Sequence, residues 1–544
     1  MKRISWMAAL LLSCAAISLP RPAFAAPPAT QAGAGASFSA QVNERLKQLA
    51  GSKQEAGLAE FWFINGPAAV MPPLRKAAAA APAGSPQAPR LGWLLKTLEP
   101  LTKTRATAEK RRQDDYQWNI KTALAAYDQF GTKNPKWDAA ARFAIRQFCS
   151  IHLDERAKAY DTLQILTDDL KCNDPLIVYM DARAIEMHPP IQLGPMVQTL
   201  EAACDFFDKS QYPAERKCRA MAHLTKVVMR TTAESINPQQ KALDKRFADR
   251  AMELWPQAIT AKGMTATFAL DMAYEVAAAQ VHFGVDRAIV VNAMLPDFQK
   301  AFPSSPTPLV FKGSEFIDYA WDARGGGTIN TVGANAFKLM QDRLIVARET
   351  LEKAYTMDPS DAEAATLMIT YEMGAQGTIP EMDKWFHRAI EADPTHWHQY
   401  HGQDAYDRKK LYLQPKWYGS VAQLLAFGLE CAGTGNSRDN VSWILVQIHQ
   451  DLSHESADPD GYWRLPGVWQ ELDLVVEPFM RAYPDVARNE TMYTYWAAKC
   501  GQWKLADEHF KALGDRADPA IFGGQPALEA ARTKAEQKAH PGSL

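Results

Sequence analysis

The sequence predicts an all-α protein built from helix pairs stacked as a repeat solenoid, and three observations carry that expectation. Ala347, Leu351, Ala354, Asp358 and Pro359 are echoed 35 residues later by Met382, Phe386, Ala389, Asp393 and Pro394. Apolar residues recur at steps of three and four through most of the 544 residues, the period of a helix that buries one face. No run alternates apolar and polar residues between turn signals for long enough to suggest a sheet. One helix pair cannot bury its apolar face alone, so such units must stack.

Residues 1–25 have the three parts of a secretory signal. These are Lys2 and Arg3, an apolar run from Ile4 to Leu19, and Ala23-Phe24-Ala25 as a small-x-small cleavage site before Ala26. The apolar run is shorter than the ~20 residues that span a bilayer. The mature chain is therefore expected to be periplasmic or secreted, with no transmembrane helix left after signal removal. Leu11-Leu12-Ser13-Cys14 loosely resembles a lipobox, so lipoprotein anchoring at Cys14 is the lesser alternative; the residues that follow stay apolar where a polar tether would be needed. Residues 26–115 read as a flexible leader, short helices such as Val42 to Leu49, and an Ala/Pro-rich linker from Ala77 to Pro89.

Residues 116–324 form an N-terminal helical array in this reading. Ile120, Leu124, Tyr127 and Phe130 mark one buried face, and Ala140, Phe143, Ile145 and Phe148 the next. Further helices are expected at Arg156 to Leu170, Pro175 to Met187, Gly194 to Phe207, Ala214 to Arg230 and Gln239 to Leu254, where Phe247, Ala251 and Pro256 repeat part of the spacing. A Gly-rich loop at 325–335 separates this array from a second, 336–520. Within the second array, Tyr493, Tyr495 and Trp496 lie on one helix, and Gly501, Ala506 and Phe510 on the turn and helix after it. Residues 521–544 read as a polar tail.

Ala347, Leu351, Ala354 and Pro359 place a small residue, a large apolar one four later, a small one three later and a Pro five beyond that. Small side chains let paired helices approach, the large one fills the groove, and Pro, lacking an N–H, stops the helix. Over Leu344 to Pro394 this resembles tetratricopeptide repeats, although Met382 stands at the first small position of the second copy. Trp321-Asp322-Ala323-Arg324-Gly325-Gly326, Trp385-Phe386 and Leu413-Gln414-Pro415-Lys416-Trp417-Tyr418-Gly419-Ser420 are similar to uncharacterised secreted bacterial proteins of that superfamily. The resemblance implies a helical scaffold with a concave recognition face, and it implies no catalytic residues.

Lys plus Arg number 60 against 62 Asp plus Glu, so no global field attracts nucleic acid, which is not expected as a partner. Six cysteines remain after the signal: Cys149, Cys172, Cys204, Cys218, Cys431 and Cys500. Their even number in an exported chain suggests disulfides, and proximity favours Cys149 with Cys172, Cys204 with Cys218 and Cys431 with Cys500.

On a helix, His398, His401 and Asp404 share a face, the geometry of a His-His-carboxylate metal site. Trp397, Tyr400, Tyr406, Trp417 and Tyr418 crowd the same stretch and suit a peptide or glycan surface, as does Arg324 beside the Gly-rich loop. Gly325-Gly326-Gly327 lacks the Lys-Ser/Thr ending of a P-loop, and Asp458-Pro459-Asp460-Gly461 lacks the closing Glu of a calcium loop. With no nucleophile elbow, metalloprotease motif or cofactor fingerprint, the expectation is a scaffold without cofactor or catalysis that binds a protein or peptide in the cell envelope. The alternative is a metal-dependent enzyme or glycan-binding protein using His396 to Ser420.

Overall fold

The computed structural model describes Trp62 and residues 67–540, apart from 151–152, 188–192, 231–237, 328–331, 396–402, 438 and 483–485. Among the described residues all regular structure is helical. Contacts divide the chain into two units, one holding Ala106–Asp393 and the other holding the described residues up to Arg105 and those from Gln403 onward. The signal segment and the helix expected at Val42 to Leu49 lie outside the described residues.

The second unit opens with α1 (Pro67–Ala80) and the first half of α2 (Gln87–Phe130). Leu74 and Val70 of α1 pack with Leu91, Leu94 and Leu98 of α2 around the fully buried Trp62. The expected linker from Ala77 to Pro89 is thus partly helical. The alanine run belongs to the strongest helix formers, and Pro89 sits in the first turn of α2, where a missing N–H costs nothing.

Among the described residues of the first unit, twelve α-helices follow α2 in order. They are α3 (Asp138–Phe148), α4 (Leu153–Gln164), α5 (Pro175–Met187), α6 (Leu193–Lys209), α7 (Ala214–Val228), α8 (Pro238–Ala258), α9 (Ala266–His282), α10 (Arg287–Ala301), α11 (Thr307–Arg324), α12 (Ala334–Met357), α13 (Ala362–Ala375) and α14 (Ile379–Ala392). Each odd-numbered helix packs on the even one after it. Odd helices also meet each other, α3 on α5, α7 on α9, α9 on α11 and α11 on α13. The odd helices therefore form one layer and their partners the other.

Local chemistry explains these elements. Thr378 and Glu381 close a capping box at the start of α14: the Thr378 N–H donates to the Glu381 carboxylate at 2.9 Å, and Thr378 Oγ1 accepts from the Glu381 N–H. From there Met382, Trp385, Phe386, Ala389 and Ala392 are buried at helical spacing. The large residue of the first repeat copy, Leu351, is fully buried where α12 crosses α11 at Gly313. A Cβ at Gly313 would stand 2.5 Å from Leu351 Cγ, so only glycine permits this approach.

The second unit continues with α15 (Ala405–Tyr412), α16 (Val421–Gly433), α17 (Ile444–Glu455), α18 (Pro459–Tyr462), α19 (Val468–Ala482), α20 (Ala487–Lys499), α21 (Trp503–Leu513), α22 (Pro519–Phe522) and α23 (Gln525–Ala539). Gly501, at φ 75°, turns α20 into α21, and Ala506 and Phe510 are buried beyond it. The segment 521–544 was expected as a polar tail, but α23 docks on α21 through Leu528 and Ala535. Its apolar residues are mostly alanines, which give a weak hydrophobic stripe and strong helix propensity.

The six cysteines depart from expectation. All are buried and none is bridged to another, so the three disulfides suggested by sequence proximity do not form. Cys204, Cys218 and Cys431 lie within helices, and Cys218 in α7 donates its Sγ–H to the Ala251 carbonyl oxygen at 3.3 Å. Cysteine there behaves as a small apolar residue.

Candidate functional site

His398, His401, Trp397 and Tyr400 lie outside the described residues. Asp404 is the residue of the expected metal site that is described, and it stands just before a helix, not within one. Its backbone is extended, and its carboxylate caps α15, accepting from the Tyr406 N–H at 3.0 Å and the Asp407 N–H at 3.1 Å. Among the described residues no group of three His, Cys, Asp or Glu side chains is placed to hold a metal ion. Tyr406 is buried and donates its hydroxyl to the Pro394 carbonyl. Tyr418 stacks on the buried Tyr412 with ring centroids 4.9 Å apart, and Trp417 is half-buried beside it. Arg324 folds back on its own loop, donating to the carbonyls of Gly325 and Gly327.

A different cluster stands out in the first unit. α5 contributes Tyr179, Arg183 and Glu186, α7 contributes Arg219, His223, Lys226 and, just past its end, Arg230, and α9 contributes Phe268, Asp271 and Glu275. The spacings are steps of three or four on every helix, so each presents one polar stripe. The three stripes meet in a charged seam within the layer of odd helices.

His223 sits at its centre, fully buried. Its Nδ1 lies 3.1 Å from Glu275 Oε1 and its Nε2 3.2 Å from Glu186 Oε2. Arg183 Nη1 is 3.2 Å from the same Nδ1. A doubly protonated ring donates to both carboxylates, whereas the Nε2–H tautomer keeps Glu186 and accepts from Arg183. Burial opposes charge on Glu275, yet His223, Lys226 and Arg219 override it and hold the carboxyl well below the usual range. Glu186 follows the same pattern: burial works against ionisation, and His223 and Arg183 win. Asp271 goes the other way, since burial pushes it far up and Arg219 only partly compensates.

The seam continues into α2. Asp115 is buried, accepts from Thr265 and Thr267 at the start of α9, and is pushed up to about 6 by burial. One turn later Trp118 packs on Phe268 at 4.6 Å and donates Nε1–H to the Lys262 carbonyl. Arg216 bridges to Asn119 at 2.7 Å, and Arg219 lies over the Phe268 ring at 4.1 Å. In the other direction along α2, Arg111 donates to Ser360 and Asp358, and Arg112 to Asp393. The two aspartates of the repeated Asp-Pro pair are thus held by consecutive arginines of one helix.

Sequence reasoning placed α7 and missed its stripe. The available signal was Asp271 and Glu275, four residues apart in the otherwise apolar run from Phe268 to Ala279. Elsewhere, a groove of about 420 Å³ between α6 and α8 is lined by Asp208, Lys245, Arg246, Asp249, Arg250 and Glu253. Its charges pair among themselves, as Arg250 does with Asp208 and Glu253.

The seam contains charged hydrogen-bonding groups, Lys226 at 3.6 Å from Glu275 among them, and the aromatic faces of Phe268 and Trp118. No protein-family model matches the chain, and no curated protein matches it either.

Proposed function

We propose that this chain is an exported scaffold of tetratricopeptide-like helix pairs that binds a protein or peptide partner in the cell envelope, with the layer of odd helices as its recognition face. One observation carries this reading: the array already holds a helix, since the stretch of α2 from Arg111 to Asn119 is attached by side-chain ends to α7 and α9 of that layer, to the loop after α12 and to the end of α14. Arg111 reaches Ser360, Arg112 reaches Asp393, Asp115 reaches Thr265 and Thr267, and Trp118 reaches Phe268. Few apolar side chains of that stretch are buried, Tyr116 within it and Ala108 just before it being the examples. A face that binds a helix through ion pairs and one aromatic anchor uses the terms of helix-in-groove recognition. The sequence supports the compartment through the charged, apolar and cleavage parts of residues 1–25. Among the described residues no helix is long and apolar enough to cross a membrane.

A photoreactive residue in place of Met229, beside the seam, tests the reading in the producing cell, with one in place of Lys245 on α8 as control. A discrete envelope protein crosslinked at 229 and not at 245 is expected. Equal or absent adducts at both positions overturn the proposal.

A further inference from the structure

We infer that the end of the seam formed by Arg183, Lys226 and Arg230 docks an acidic helical segment of the partner protein. The inference rests on the binding function proposed above and specifies the partner.

Charge is the first argument. Arg183, Arg219, Lys226 and Arg230 are four cations gathered around Glu186, Glu275 and Asp271, with Asp271 at the inner end beside Arg219. Asp115 enters from α2 at the opposite end, facing Arg219 and Asp271, so the outer end sets three cations, Arg183, Lys226 and Arg230, against two carboxylates, Glu186 and Glu275. The excess is presented outward: the side chains of Lys226, Arg230 and Arg183 are 48%, 33% and 24% exposed, against 15% for Arg219. Such a half-buried cationic edge attracts carboxylates more strongly than a fully solvated one.

Shape is the second. Lys226 and Arg230 stand four residues apart on one face, the accessible end of the stripe that begins at Arg219 and the buried His223, and a second helix can lie along that end. The occupied end of the same seam supplies a template, because α2 sets an acidic and an aromatic residue three apart, Asp115 and Trp118, against Arg219 and Phe268. A partner helix with acidic residues at helical spacing continues that pattern along the exposed end.

The test uses the full mature chain and two labelled 16-residue helical peptides, one with Glu at every fourth position and a single Trp, the other with Lys replacing each Glu. Fluorescence anisotropy is expected to show the Glu peptide binding at least tenfold more tightly than the Lys peptide. Lys226→Gln with Arg230→Gln is expected to weaken the Glu peptide at least tenfold, and Lys226→Gln alone, at the most exposed position, several-fold with an unchanged melting curve. Equal binding of the two peptides, no binding of either, or Glu-peptide binding unaffected by Lys226→Gln overturns the inference. Crosslinking from position 229 separates the two proposals. A discrete adduct that survives Lys226→Gln and Arg230→Gln leaves the scaffold reading standing and removes the acidic helix.

Discussion

Arg112 Nη1 donates to Asp393 Oδ2 at 2.9 Å, joining α2 to the end of α14 across 281 residues of sequence. Arg112 is largely buried and the Asp393 side chain is 28% exposed, so the pair is shielded more than a surface ion pair. Arg112→Ala is expected to cost about 1–2 kcal/mol, chiefly by leaving a partly desolvated carboxylate short of a donor. A double-mutant cycle with Asp393→Asn, read by urea unfolding, checks this. Strictly additive losses would show that the two side chains do not cooperate.

Gly313 and Leu351 give a steric prediction. Adding one methyl group at Gly313 places a carbon 2.5 Å from Leu351 Cγ and 2.6 Å from Cδ2 at a fully buried crossing. Gly313→Ala is expected to destabilise by about 1–3 kcal/mol, the range for overpacked cores, despite the better helix propensity of alanine. Combining it with Leu351→Ala should recover part of that loss. If Gly313→Ala raises the urea midpoint, the crossing has slack that the distances exclude.

These contacts show what the sequence could reveal. Helices with an apolar stripe were legible: the expected spans Pro175 to Met187 and Gly194 to Phe207 match α5 and α6 to within two residues. Hydrophobic periodicity failed on α2 between Leu101 and Tyr116, where Arg105, Arg111, Arg112 and Asp115 take the places of apolar anchors. A helix attached through charges has no hydrophobic period to detect. The seam was hidden for a related reason, since its stripes lie on three helices and become one site only when those helices pack. Cysteine number misled because pairing depends on the distance between buried side chains, which sequence spacing does not measure.

The buried cysteines carry a redox prediction. Burial pushes the thiols of Cys204, Cys218 and Cys431 well up and that of Cys172 to about 11, which suppresses the reactive thiolate. The native protein is expected to react with fewer than one equivalent of Ellman's reagent at neutral pH, and to release all six thiols in guanidinium chloride. Adding a reductant should leave thermal unfolding unchanged. A lowered midpoint under reductant, with thiols missing after denaturation, would restore the disulfides that the sequence suggested.

Asp115 sets a pH dependence whose sign follows from its burial. Its carboxyl rises from 3.8 to about 6, chiefly by desolvation, so the native state binds its proton more tightly than the unfolded chain. The associated stability is therefore present below the unfolded pKa and is lost as pH rises from about 4 to about 6, amounting to roughly 3 kcal/mol if the full shift is expressed. Glu186 and Glu275 act oppositely, because their depressed values withdraw stability only as pH falls below the ordinary carboxylate range. Asp115→Asn keeps an acceptor for Thr265 and Thr267 and removes the titration. The urea midpoint of the variant should match the parent near pH 4 and exceed it increasingly up to pH 7. A constant difference across that range would mean that the Asp115 carboxyl titrates alike in the folded and unfolded chains, and that its place beside Arg219 owes nothing to the proton.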